Sequence, residues 1–138
     1  MKFKQKIKQS FRVSTDNWRE RKRRYNLGHR AEILAAIWLS LKGYKVIGRR
    51  IKTPAGEIDL IARKGRISIF IEVKARKTHD LGILAVDPKT QKRLCRAASY
   101  ITAKENWHSH EKDDIRFDLM IFSKWYFRHI LNAWSCNH

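Results

Sequence analysis

Two apolar runs separated by four residues constrain this chain more than any other feature. Glu57-Ile58-Asp59-Leu60-Ile61-Ala62 and Ile67-Ser68-Ile69-Phe70-Ile71-Glu72-Val73-Lys74-Ala75 are rich in β-branched residues, and Arg63-Lys64-Gly65-Arg66 joins them through a polar link containing glycine. This pattern predicts a β-hairpin. Alternation puts Ile67, Ile69, Ile71, Val73 and Ala75 on one face of the second strand and Ser68, Phe70, Glu72 and Lys74 on the other. In the first strand Ile58, Leu60 and Ala62 share a face, opposite Glu57, Asp59 and Ile61. A turn closing about Lys64 and Gly65 sets Glu57 opposite Glu72 and Asp59 opposite Phe70, with Asp59 diagonal to Glu72. Three carboxylates and one ammonium would then crowd together.

The flanking segments supply the rest of a fold. Ala31, Leu34, Ala35, Trp38, Leu39 and Leu41 recur at helical spacing before Gly43, predicting a helix over residues 30–42. Tyr44, Val46 and Ile51 suggest a short strand before the turn at Thr53-Pro54-Ala55-Gly56. Downstream, Leu94, Ala97, Ala98 and Ile101 lie on one side of a helix from Lys89 to Ala103, with Pro88 at its start. Arg116 to Phe122 and Phe127 to Trp134 read as two further strands. The order is helix, three strands, helix, two strands, an α/β fold with a central mixed sheet flanked by helices. At 138 residues the chain suits one domain, expected over 28–138.

The balance of charge narrows the partners. The chain carries 31 Lys and Arg against 13 Asp and Glu, a formal net charge of +18. Such a field draws polyanions: nucleic acid, an anionic membrane surface or an acidic protein. Residues 1–30 hold 11 of the basic side chains, with Asp16 and Glu20 as the only acids, so residues 1–27 read as a basic arm, partly disordered or docked. No apolar run is long enough for a signal-peptide core or a membrane span, and a cytoplasmic protein is expected. Cys95 and Cys136 form neither a Cys-x-x-Cys pair nor a disulfide framework by their spacing, and Cys95 reads as a small core residue.

Neighbouring acids on a strand repel each other and want a cation. Mg²⁺ takes one or two carboxylates together with phosphate oxygens and waters, so Asp59 and Glu72 would make a sufficient shell, with Glu57 beside them. Lys74, on the face of Glu72, could orient an attacking water or stabilise charge on a phosphate. The plainer alternative is a solvated strand face with Lys74 paired to a carboxylate. Ile61 and Phe70 on that same face, and the scarcity of acids in the chain, argue for a covered cluster instead. His108 and His110 read as loop residues, Trp107, Trp125 and Trp134 as packing, and Asp118, between apolar neighbours, as structural.

Gly28-x-x-x-Glu32, Gly56-Glu57-Ile58-Asp59-Leu60-Ile61-Ala62 and Phe70-Ile71-Glu72-Val73-Lys74-Ala75-Arg76, in that order, resemble the YraN-like family of small bacterial proteins. That family is assigned to the restriction-endonuclease-like fold of the PD-(D/E)XK nucleases and is similar to Holliday-junction resolvases. The resemblance runs from about Gly28 to Trp134. It implies that Asp59, Glu72 and Lys74 are catalytic, that Glu32 can complete the metal site, and that Gln91 faces it. Where the family commonly has Asn ahead of the Gly-Glu-Ile-Asp-Leu-Ile run, this chain has Arg50.

The combined expectation is a restriction-endonuclease-like core that hydrolyses nucleic-acid phosphodiesters with Mg²⁺ or Mn²⁺. DNA is favoured over RNA, branched or structured DNA in particular, with no membrane partner, and a two-fold junction would suit a homodimer. Gln91, Lys92, Arg93, Arg76, Arg23 and Arg24 are the expected nucleic-acid contacts. The alternative is a non-catalytic nucleic-acid-binding module that retains the nuclease fold.

Overall fold

The computed structural model describes residues 2–104, 114–123 and 127–136, with side chains from residue 17 onward except those of 79 and 84. Its elements are α1 (Lys2–Leu41), β1 (Lys45–Thr53), β2 (Gly56–Lys64), β3 (Ile67–Ala75), α2 (His79–Leu84), α3 (Pro88–Thr102), β4 (Asp114–Phe122) and β5 (Phe127–Trp134). The strands form one sheet in the order β1-β2-β3-β4-β5. β3 and β4 run parallel and the other neighbours antiparallel, so the crossover that parallel pairing requires is made by α2 and α3. This is the α/β architecture, a mixed sheet between helices, expected of a restriction-endonuclease-like core.

Each face of the sheet is covered by its own helix. Ala35 and Leu39 of α1 pack on Leu60, Ala62, Ile69, Ile71 and Met120. On the other face Leu94, Ala97, Ala98 and Ile101 of α3 pack on Ile61, Phe70, Phe117, Leu119 and Ile121. The two-sided burial explains why Leu60, Ile61 and Ala62 are consecutive buried residues where a half-exposed strand would alternate. Helix α3 starts where its sequence says it should: Asp87 caps it by accepting the Thr90 N–H at 2.8 Å, and Pro88 occupies the first turn.

The basic residues of the arm are helical from Lys2 onward. Helix α1 is 40 residues long, so the expected boundary between residues 27 and 28 falls inside it. Lys, Arg, Glu and Gln are good helix formers, and the first proline of the chain is Pro54, so nothing interrupts the helix before it stops at Gly43, whose φ of 86° suits a glycine end. Trp18 and Tyr25 are more than half exposed on this extension.

Two expectations are corrected. Cys95 and Cys136 are joined by a disulfide, because α3 packs beside the end of β5 and brings their Cα atoms to 5.7 Å. The spacing of 41 residues gave no local sign of this. The hairpin register also differs by two residues: the chain turns at Gly65-Arg66, with Gly65 at φ 58° and Lys64 paired to Ile67, so Ile61 lies opposite Phe70. That puts Asp59 level with Glu72 and leaves Glu57 exposed on the first part of β2, paired across to Lys52 of β1. His108, His110, Trp107 and Trp125 lie outside the described residues. Among the described residues no helix is long and apolar enough to cross a membrane.

Candidate active site

The site forms where the regular ladder of β2 fails. Pairing with β3 runs from Lys64↔Ile67 to Leu60↔Ile71 and stops short of Asp59. The alternation of faces breaks at the same point, since Ile58 packs with Ile61 on the α3 side while Leu60 and Ala62 pack on the α1 side. Asp59 takes over the role of the lost ladder bond: its Oδ2 accepts the N–H of Val73 at 2.8 Å. On β1 the irregularity is matched by Arg50, which lies between the pairs Arg49↔Leu60 and Ile51↔Ile58 with φ at 47°. A bulky residue in that region costs about 1–3 kcal/mol and persists only when its surroundings enforce it.

Glu72 stands beside Asp59 on β3 and is 5% exposed. Its Oε1 lies 3.0 Å from the Lys74 ammonium, while its Oε2 is buried with no hydrogen-bond partner among the described residues. Ile58, Phe70, Leu94, Phe117 and Trp134 make an apolar wall on one side of it. An unsatisfied carboxylate oxygen in such surroundings carries a desolvation cost of about 1–3 kcal/mol or more. Burial, followed by the charge of Glu72, pushes the Asp59 carboxyl up to about 7, against the lowering effect of the Val73 N–H. Two acids held together in this way, short of compensation, fit a hard divalent cation that can supply the missing charge and accept further ligands from phosphate and water.

Glu32 reaches the same corner from α1. Its charge contributes to the rise at Asp59, but its Oε2 accepts the Arg50 Nε–H at 2.6 Å. Arg50 also donates from Nη1 to the Tyr25 hydroxyl at 3.2 Å and lies over that ring at 5.4 Å. Among the described residues no three side chains of the His, Cys, Asp and Glu set stand close enough to hold a metal ion by themselves. Asp59 and Glu72 come together, Lys74 joins them, Glu32 is near but engaged, and Glu57 is exposed.

The expected nucleic-acid contacts are scattered more widely. Arg23 and Arg24 are exposed on the extension of α1, Arg24 paired with Glu20 at 2.9 Å, and Arg76 and Lys92 are exposed after β3 and on α3. The Arg93 side chain lies across Gly56, close enough that a Cβ there would meet its Cδ at 3.1 Å. Gln91 is committed to the fold: its Nε2 donates to the Val86 carbonyl at 3.1 Å, closing the α2–α3 link. Tyr25, the backbone N–H of Val73 and the engagement of Arg50 are the parts of the site that sequence reasoning missed. The lone signal for any of them was the unusual residue at position 50.

A family model described as "Uncharacterised protein family UPF0102" matches residues 31–122, which spans α1 from its first buried alanine to the end of β4. A UPF0102 protein of Parvibaculum lavamentivorans is 47% identical over 112 residues, covering 80% of this chain and 82% of the relative. A UPF0102 protein of Sphingopyxis alaskensis is 41% identical over 110 residues, covering 78% of this chain and 91% of the relative.

Proposed function

The chain belongs to the uncharacterised protein family UPF0102, and from the site it carries we propose that it is a metal-dependent endonuclease acting on nucleic-acid phosphodiesters, branched or structured DNA foremost. One observation carries this reading. In a chain of net charge +18, a buried acid and a half-buried one stand side by side at a break in the sheet, the first with an oxygen that no described residue satisfies and the second pushed up to about 7. Structural acids are normally satisfied, and clustered groups with perturbed proton affinity mark functional sites.

A divalent ion bound there would polarise a phosphoryl oxygen and acidify a water ligand. The residues that would hold it are Asp59 and Glu72. Val73 fixes the Asp59 carboxylate by its N–H, leaving the other oxygen for a ligand. Lys74 is anchored to Glu72 and so presents its ammonium at the edge of the pair, where it would stabilise negative charge developing on the phosphate. The positive extension of α1, with Arg23 and Arg24, and Lys92, Arg93 and Arg76 around the sheet, would hold the flanking phosphates. A junction with two-fold symmetry would require two copies of the chain, one for each strand to be cut.

The test is cleavage of duplex, single-stranded, flap and four-way-junction DNA and of RNA, each with Mg²⁺, Mn²⁺ or EDTA, beside Glu72→Gln. Metal-dependent products reduced about 100-fold or more by the substitution are expected. Binding of the same substrates without cleavage under every metal condition would favour the non-catalytic module instead.

A further inference from the structure

We propose that Arg50 is a positioning residue that occupies Glu32 in place of a metal ion, so that a cation at Asp59 and Glu72 gains a third carboxylate when Arg50 releases it. This rests on the metal-dependent reading of the site and adds a residue to it. Four observations bring the proposal together. Glu32 is 12% exposed at its side chain, and among the described residues the partner given for it is the Arg50 Nε at 2.6 Å. It comes from α1 onto the strand that flanks Asp59, through its bond to Arg50, and its charge is felt at Asp59, so the carboxylate is within electrostatic reach of the pair it would join. Arg50 stands level with Asp59 in the β1–β2 ladder and holds a backbone conformation, φ 47°, that a long side chain rarely adopts. Its guanidinium has a second resting place, the Tyr25 hydroxyl at 3.2 Å and the ring face at 5.4 Å, so letting Glu32 go would not leave it without contacts.

The arrangement explains why no three acids converge among the described residues: the third is held back by an internal cation. A divalent ion and a guanidinium compete for the same oxygen, and whichever wins decides whether the site offers two carboxylates or three. Arg50 therefore sets the threshold of metal binding.

The experiment titrates Mn²⁺ alone into the full chain and reads binding by calorimetry and by the spin-resonance signal of free Mn²⁺. The proteins are wild type, Arg50→Asn, Arg50→Lys, Glu32→Gln, the double variant Arg50→Asn/Glu32→Gln, and Asp59→Asn. Asn tolerates a positive φ, so Arg50→Asn removes the cation and leaves the backbone unstrained. Arg50→Asn should bind Mn²⁺ about tenfold more tightly than wild type. That gain should vanish in the Glu32→Gln background, and Arg50→Lys, which keeps the charge, should stay near wild type. Unchanged or weaker binding in Arg50→Asn overturns the proposal. So does a gain that persists without Glu32, which would be through-space repulsion, and so does equal weakening in the Asn and Lys variants, which would be a structural role. If Asp59→Asn abolishes binding while Arg50→Asn gains nothing, Arg50 falls and the metal site stands. If wild type and every variant fail to bind Mn²⁺, both readings fall.

Discussion

Two acids on the same sheet, Asp59 on β2 and Asp118 on β4 with β3 between them, have opposite fates. Asp118 on β4 is fully buried and receives every hydrogen bond it can use: Arg116 Nε at 2.8 Å and Nη2 at 2.9 Å, His129 Nε2 at 2.8 Å and the Asn132 N–H at 2.9 Å. The Tyr44 hydroxyl in turn receives a hydrogen bond from Arg116 at 3.0 Å. Burial works to raise the Asp118 carboxyl, but these donors outweigh it and hold the group below its ordinary value. Asp59 has one backbone N–H and an acidic neighbour, and is pushed the other way. The pair teaches that burial of a charge is not itself a functional sign. A saturated acid pins the fold, here by fixing β5 at a break in its register where Asn132 takes φ 51°, whereas the undersupplied pair is the one we propose as a ligand site.

The sharpest way to break this contrast is to remove each acid in turn. Asp118→Ala strands the Arg116 guanidinium, 18% exposed at its side chain, and should cost about 3–5 kcal/mol, lowering the melting temperature by roughly 10 °C. Urea unfolding monitored by circular dichroism would check this; a loss under 1 kcal/mol would put Asp118 among the replaceable residues.

A pH titration of stability separates the two sites without mutation. The Asp59 carboxyl is raised, from 3.8 unfolded to about 7, facing Glu72 and Glu32 with Lys74 as its opposing cation. In that window the folded chain binds more protons than the unfolded one, so with EDTA present stability should rise as the pH falls from about 8 to 5. Asp118 is lowered, facing Arg116 and His129, so its contribution is complete above the unfolded carboxylate value and is lost as the pH falls through the folded one. The metal-free curve should therefore climb on acidification by about 1–2 kcal/mol and then collapse below about pH 4. A curve that falls steadily from pH 8 would contradict the strain assigned to Asp59.

Asp59→Asn should do the reverse of Asp118→Ala. The amide oxygen can still accept from Val73, and the repulsion with Glu72 is gone, so metal-free stability at pH 8 should rise by about 1 kcal/mol while the acid-side climb disappears. Thermal melts with and without EDTA would show it.

The sequence made the strands and α3 legible because two-residue and helical periods are local. The positions of Asp59, Glu72 and Lys74 in the hairpin came from the same alternation. What escaped was set by distance or by ambiguity. Arg63-Lys64-Gly65-Arg66 permits a turn about either side of Gly65, and a two-residue shift preserves the faces, so periodicity could not decide the register. The run Leu60-Ile61-Ala62, apolar at three successive positions, was the available sign of a strand buried on both sides and of a break near Asp59. Glu32 with Arg50, 18 residues apart, and Cys95 with Cys136, 41 apart, meet through packing of helices on the sheet, which no window along the chain reports.

The register correction has the smallest expected effect and the cleanest reading. If Glu57 stood opposite Glu72, neutralising it would weaken a metal ion at the pair and relieve repulsion there. Level with Lys52 and exposed, it does neither. Glu57→Gln should change stability by less than about 0.5 kcal/mol, and Mn²⁺ affinity by less than about twofold, the scale of a surface charge removed far from bound ligand. A tenfold loss of Mn²⁺ affinity would return Glu57 to the site and require the hairpin to pair two residues out of the register described.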